Sequence, residues 1–90
     1  MILARVTGNV VATRKDEGLA GHRLLVVRPV DPRDGWAGTA FLAVDRVDAG
    51  EGDRVLVMKE GGGARMMLGD RIPVQAVVVA VVDRVTIDRT

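Results

Sequence analysis

From Ile2 to Thr13 the chain alternates with a period of two: Ile2, Ala4, Val6, Gly8, Val10 and Ala12 are apolar or glycine, and Arg5, Thr7, Asn9 and Thr13 fall between them. That period is a β-strand with one buried face. At ~3.3 Å per residue a straight strand of this length would reach roughly 40 Å, about twice the usual span. A bend is therefore predicted near Gly8 and Asn9, as in the long first strand of a small sheet that curls into a barrel.

The rest of the pattern supplies the partners for such a strand. Arg23 to Arg28 resumes the apolar run after the glycines at 18 and 21, and Pro29, Pro32 and Asp34-Gly35 mark a turn-rich loop. Thr39 to Asp45 reads as a third strand, Asp48 to Asp53 as a turn, and Arg54 to Lys59 as a fourth strand. After Gly61-Gly62-Gly63, the residues Ala64 to Leu68 favour one short turn of helix that Gly69 and Pro73 stop, and Gln75 to Val85 is the last strand. The expected fold is all-β: a small five-stranded OB-like barrel with one short helix between strands 4 and 5.

Chain length then limits what that barrel can hide. All of residues 1–90 read as a single domain, because no shift of composition divides them. A domain this small buries only about 60 to 65% of its unfolded surface, and such domains are usually reinforced by disulfides, metals or partner subunits. With no Cys, disulfides and thiolate metal sites are ruled out. Yet 48% of the residues are hydrophobic, with one Trp, one Phe and no Tyr, so the apolar surface is mostly aliphatic. The last strand shows the excess: Ala76, Val78, Ala80 and Val82 are expected on one face and Val77, Val79 and Val81 on the other. Only one face of a barrel strand points inward. Val77, Val79 and Val81 are thus candidates for a subunit interface, the alternative being local cover by the segment Arg65 to Leu68.

The residue inventory argues against catalysis. Ser, Cys and Tyr are absent and His22 is the sole histidine, so Ser-His-Asp and Cys-His arrangements cannot form within one chain. His22 starts a strand after a glycine turn and reads as a solvated residue. Asp31, Asp34, Asp45, Asp48 and Asp53 lie at turns or strand ends and complete no calcium loop, so they read as turn formers. Gly50-Glu51-Gly52-Asp53 places carboxylates where a phosphate would sit, and Gly61-Gly62-Gly63-Ala64-Arg65 lacks the P-loop pattern. No enzyme activity, cofactor or metal is expected.

Basic and acidic residues number 13 and 12, a formal charge of +1, so no long-range field favours polyanions or anionic lipid. An OB-type single-stranded nucleic-acid-binding module is the alternative function, but it needs aromatic platforms and a basic groove. The aromatics here are Phe41, expected in the core, and Trp36, in a loop. The longest apolar run, Ala76 to Val82, is far shorter than the about twenty residues of a membrane helix, and no secretory signal pattern is visible, which makes the cytosol the default location.

Five segments in order carry a resemblance over nearly the whole chain: A-R-V-T-G-N-V-V-A-T-R-K (Ala4 to Lys15), L-A-G-H-R-L-L-V-V-R-P-V (Leu19 to Val30), A-V-D-R-V-D-A-G-E-G-D-R-V-L-V (Ala43 to Val57), G-G-G-A-R (Gly61 to Arg65) and V-V-V-A-V-V-D-R-V (Val77 to Val85). The sequence resembles the EutN/CcmL family, the pentameric vertex proteins of bacterial microcompartment shells. The resemblance implies an OB-like barrel that forms a cyclic homopentamer at the five-fold corners of a polyhedral shell, docked among hexameric microcompartment shell proteins. Charge, aromatic content and run length together lead to the expectation of no nucleic acid and no membrane among its partners.

A cyclic ring joins one surface of each subunit to a different surface of the next. The family's small-residue segment, commonly G-S-S-A-R, corresponds to Gly61, Gly62, Gly63, Ala64 and Arg65, which the resemblance places near the central axis. Both serines are glycines here, which removes two hydroxyls from any pore lining; the glycines equally suit a positive φ before a helix. Lys15 matches the lysine ending the first family motif and is a candidate contact with neighbouring shell proteins, or a solvated side chain. Asp45 and Asp83 also match family positions and read as turn or backbone-satisfying residues.

Overall fold

The computed structural model describes residues 1–11, 23–59 and 76–87. Five strands close into a barrel: β1 (Ile2–Val10), β2 (Arg23–Pro29), β3 (Phe41–Asp45), β4 (Arg54–Lys59) and β5 (Ala76–Val81). They run round the barrel in the order β1-β2-β3-β5-β4. Every pairing is antiparallel except β3 with β5, which is parallel. Closure satisfies the edge strands without a partner sheet. The short helix expected at Ala64 to Leu68 lies outside the described residues.

The core is aliphatic and small. Ala4 and Val6 of β1, Leu25 and Val27 of β2, Ala43 of β3, Val55 and Val57 of β4 and Ala76 and Val78 of β5 pack together with Ala49. Phe41 packs against this cluster from a half-buried position, in keeping with its expected place in the core. A second apolar group, Leu24, Val44 and Val77, is buried on the opposite side of the sheet, Leu24 facing Val44 and Val44 facing Val77 across the strands.

Two bulges change the face assignments that strict alternation predicts. In β1, Val6 lies opposite Val27 but Gly8 lies opposite Val26, so Thr7 is an extra residue. The irregularity falls just before the expected bend at Gly8 and Asn9. It inverts the side-chain parity: Val10 lies opposite Leu24, on the outer side, and does not continue the face of Ala4 and Val6. In β5, Val78 lies opposite Val57 and Ala80 opposite Leu56, which makes Val79 the extra residue. Val77, Val79 and Val81 therefore do not share a face. Val77 pairs with Met58 on the outer side, and Val81 pairs with the core residue Val55.

Candidate assembly surfaces

The outer wall is banded by the register of β1 with its two neighbours. Because Ala4, Val6, Val27, Val55 and Val57 point inward, the residues between them point out. Leu3 lies opposite Leu56, and Leu56 opposite Ala80, giving an apolar row across β1, β4 and β5 whose members are all half-buried. Beyond the bulge, Gly8 lies opposite Val26 and Val26 opposite Leu42, giving a second row across β1, β2 and β3. Leu42 is 44% exposed. Between these rows Arg5 lies opposite both Arg28 and Arg54, an arginine row spanning β4, β1 and β2.

Cations directly opposite one another repel, and the loop that follows β2 answers part of that charge. The Arg5 guanidinium donates to both carboxylate oxygens of Asp34 and to the carbonyl oxygen of Gly52. The Asp34 carboxyl is held below the usual carboxylate range, first by the hydrogen bond from Arg5; desolvation opposes this, and the charges of Arg5 and Arg54 add to the lowering. Asp34 itself sits at φ 73°, a conformation that Asp tolerates better than most residues.

The loop is fixed by its own polar groups. The carboxylate of Asp31 accepts from the amides of Arg33 (2.8 Å) and Gly35 (3.0 Å), and its backbone N–H donates to the Gly35 carbonyl (2.8 Å). A side chain at position 35 would place a Cβ 2.8 Å from an Asp31 carboxylate oxygen, which explains the glycine. The Ala37 amide donates to Pro29 O, and Val30 bridges Trp36. Arg28 Nε donates to Gly38 O (3.0 Å) while its guanidinium lies 4.6 Å from the centre of the Trp36 ring. Trp36 is thereby held in place while 53% exposed.

The aspartates act as the sequence indicates, as turn formers. Asp45 is the most enclosed of them, its side chain only 2% exposed. One of its oxygens accepts from the amides of Val47 (3.1 Å) and Ala49 (3.2 Å), and the other pairs with Arg23 (3.1 Å). Arg23 also reaches Ala49 O (2.8 Å) and Asp48 (3.3 Å). Asp48 adopts φ 58°, and Asp53 accepts from the Gly50 amide (2.8 Å). Among the described residues, no three His, Cys, Asp or Glu groups converge as a metal site would require.

The interface candidates fare differently from one another. Val77 is fully buried within its own chain, opposite Val44 and Met58. Val79 is half-buried at the bulge, and Val81 is 42% exposed. Lys15 and the axial segment Gly61, Gly62, Gly63, Ala64 and Arg65 lie outside the described residues, as does His22. The arginine row escapes sequence reasoning because positions 5, 28 and 54 are far apart and nothing in their local context distinguishes them from solvated charges. Only the register aligns them.

A protein family described as ethanolamine utilisation protein EutN/carboxysome matches residues 1–83. The bacterial microcompartment shell vertex protein EutN of Escherichia coli (strain K12) is 35% identical over 85 residues, covering 94% of this chain and 90% of the relative. The carboxysome shell vertex protein CcmL of Nostoc sp. (strain PCC 7120) is 38% identical over 90 residues, covering 98% and 88%. Among solved structures, the GrpN pentameric microcompartment shell protein from Rhodospirillum rubrum superposes with a TM-score of 0.85 at 38% identity, covering 98% of this chain and all of that one.

Proposed function

The chain belongs to the EutN/CcmL family, and from that membership we infer that it is a structural protein of a bacterial microcompartment shell, assembling into a pentamer at a shell vertex. Relatives named as shell vertex proteins match almost end to end, and a pentameric one shares the barrel. Its place is accordingly the shell within the cytoplasm.

The observation that carries this reading is the outer wall. Two apolar rows and the exposed Val81 remain on the surface of a closed barrel whose core is already filled. Burying apolar area stabilises by about 25 cal/mol per Å². A ring offers that burial twice per subunit, on two different surfaces. Val79, Val81 and the two rows are the surface we assign to ring contacts; Lys15 is assigned to neighbouring shell proteins and Gly61 to Arg65 to the ring axis, both on family resemblance. Five-fold rings supply the defects that a sheet of hexameric units needs to close, so the work is geometric, with no catalytic step.

The test is the mass of the purified protein by size-exclusion chromatography with light scattering at micromolar concentration. A particle of five 9.6 kDa chains is expected. A stable monomer overturns the assignment.

A further inference from the structure

We propose that residues 83–87 form an arm that lies on the neighbouring copy of the chain in the ring and ties the two together. This contact rests on the ring reading and goes beyond it, because the matched family pattern ends at residue 83 and family membership assigns the arm nothing.

The arm begins where the barrel's pairing ends. The Val82 amide donates to Arg54 O (2.8 Å) just past the end of β5. Beyond it the chain bends at Asp83, and residues 84–87 belong to no strand, helix or turn. Among the described residues, no hydrogen bond joins residues 83–87 to the barrel. The sequence there is nevertheless that of a strand: Val85 and Ile87 recur at a spacing of two, alternating with Arg84 and Thr86, which are both exposed. Val85 is half-buried and Ile87 is 43% exposed. The barrel closes without this segment, so its backbone groups and aliphatic side chains are surplus to the chain's own fold. Those are the groups by which an extended segment adds to another chain.

Position, reach and charge make a second copy the occupant. The arm springs from Val81 and Val82, at the edge of the surface assigned to ring contacts, and so continues that surface. Fully extended, its residues reach roughly 16 Å at ~3.3 Å each, about three strand spacings of ~4.8 Å, which carries the arm from a seam onto the next barrel. Asp83 and Arg84 cancel in charge, so no field directs it to a polyanion or an anionic surface. In a cyclic ring every copy gives one arm and receives another, and none is left unpartnered.

The chain has no cysteine, so Ile87→Cys introduces a sole thiol at the arm. Labelled with a benzophenone maleimide and irradiated as the assembled particle, it is expected to give a ladder of covalent multimers on a denaturing gel, and none once dilution has reduced the particle to single 9.6 kDa chains. In the natural chain, amide hydrogen exchange at residues 84–87 should be slowed about tenfold or more in the ring relative to the dissociated chain. Ile87→Asp should raise the concentration at which the ring dissociates about tenfold, the order expected for one large aliphatic side chain buried at each seam. Rings confirmed by light scattering that give no cross-links between copies, or whose amides at 84–87 exchange as in the dissociated chain, overturn the arm and leave the vertex reading standing. A particle that is monomeric at micromolar concentration overturns both. If the label at position 87 disturbs the ring, Thr86→Cys and the exchange measurement on the natural chain decide the matter.

Discussion

Val55 and Val81 lie directly opposite each other in the β4–β5 ladder, yet Val55 is sealed in the core and Val81 is 42% exposed. The pair marks where β5 leaves the barrel. The Val79 bulge lets the strand carry apolar side chains past the point where its own core ends.

That geometry separates two valines that look alike in sequence. Val77→Asp is expected to unfold the chain, because an unpaired carboxylate at a fully buried position costs about 3 kcal/mol or more. Val81→Asp, at the surface, should leave the circular dichroism of the barrel intact and lower the particle mass. Val79→Asp, half-buried at the bulge, should do the same with some loss of stability. Light scattering and circular dichroism on the three variants check this; rings that persist in both Val79→Asp and Val81→Asp would place the contact on another part of the wall.

Asp45 closes the end of the barrel beside Arg23. Its oxygens satisfy the amides of Val47 and Ala49 as well as the guanidinium, all from a side chain that is 2% exposed. Asp45→Ala orphans those donors and should cost about 2 to 3 kcal/mol. Denaturant unfolding at fixed protein concentration measures it. Asp48→Ala, whose side chain is 97% exposed, should cost under about 1 kcal/mol.

Acid should loosen the loop that carries Trp36. The Asp34 carboxyl titrates below its ordinary value of 3.8 because the folded state binds its ionised form through Arg5. A depressed folded value means that the contribution is fully present above the unfolded value and is lost as pH falls through the folded one. Above about pH 5 the contact should be insensitive to pH. Below pH 3.8 it should weaken progressively, and Asp34→Asn should flatten that part of the profile. Trp36 fluorescence followed from pH 6 to 2 in both proteins provides the comparison.

How much of this was legible beforehand differs from element to element. The β4 strand falls at Arg54 to Lys59 as its pattern indicates, since its alternation runs unbroken between a glycine turn and a glycine run. The third and fifth strands are shorter than expected: β3 begins at Phe41 and β5 ends at Val81. Apolar character continues past the end of β5 at Val82, whose amide still donates to Arg54 O (2.8 Å). The turn aspartates were readable because Asp and Asn tolerate positive φ and bond to nearby amides, both local properties.

The sequence by itself determined the barrel, its inward-facing residues up to each bulge, and the family to which the chain belongs, because periodicity, turn chemistry and motif order are all written locally along the chain. Tertiary structure alone decided which side of a bulged strand each valine takes and that Arg5, Arg28 and Arg54 stand side by side. Register is a relation between strands far apart in sequence, and one inserted residue in either strand inverts it.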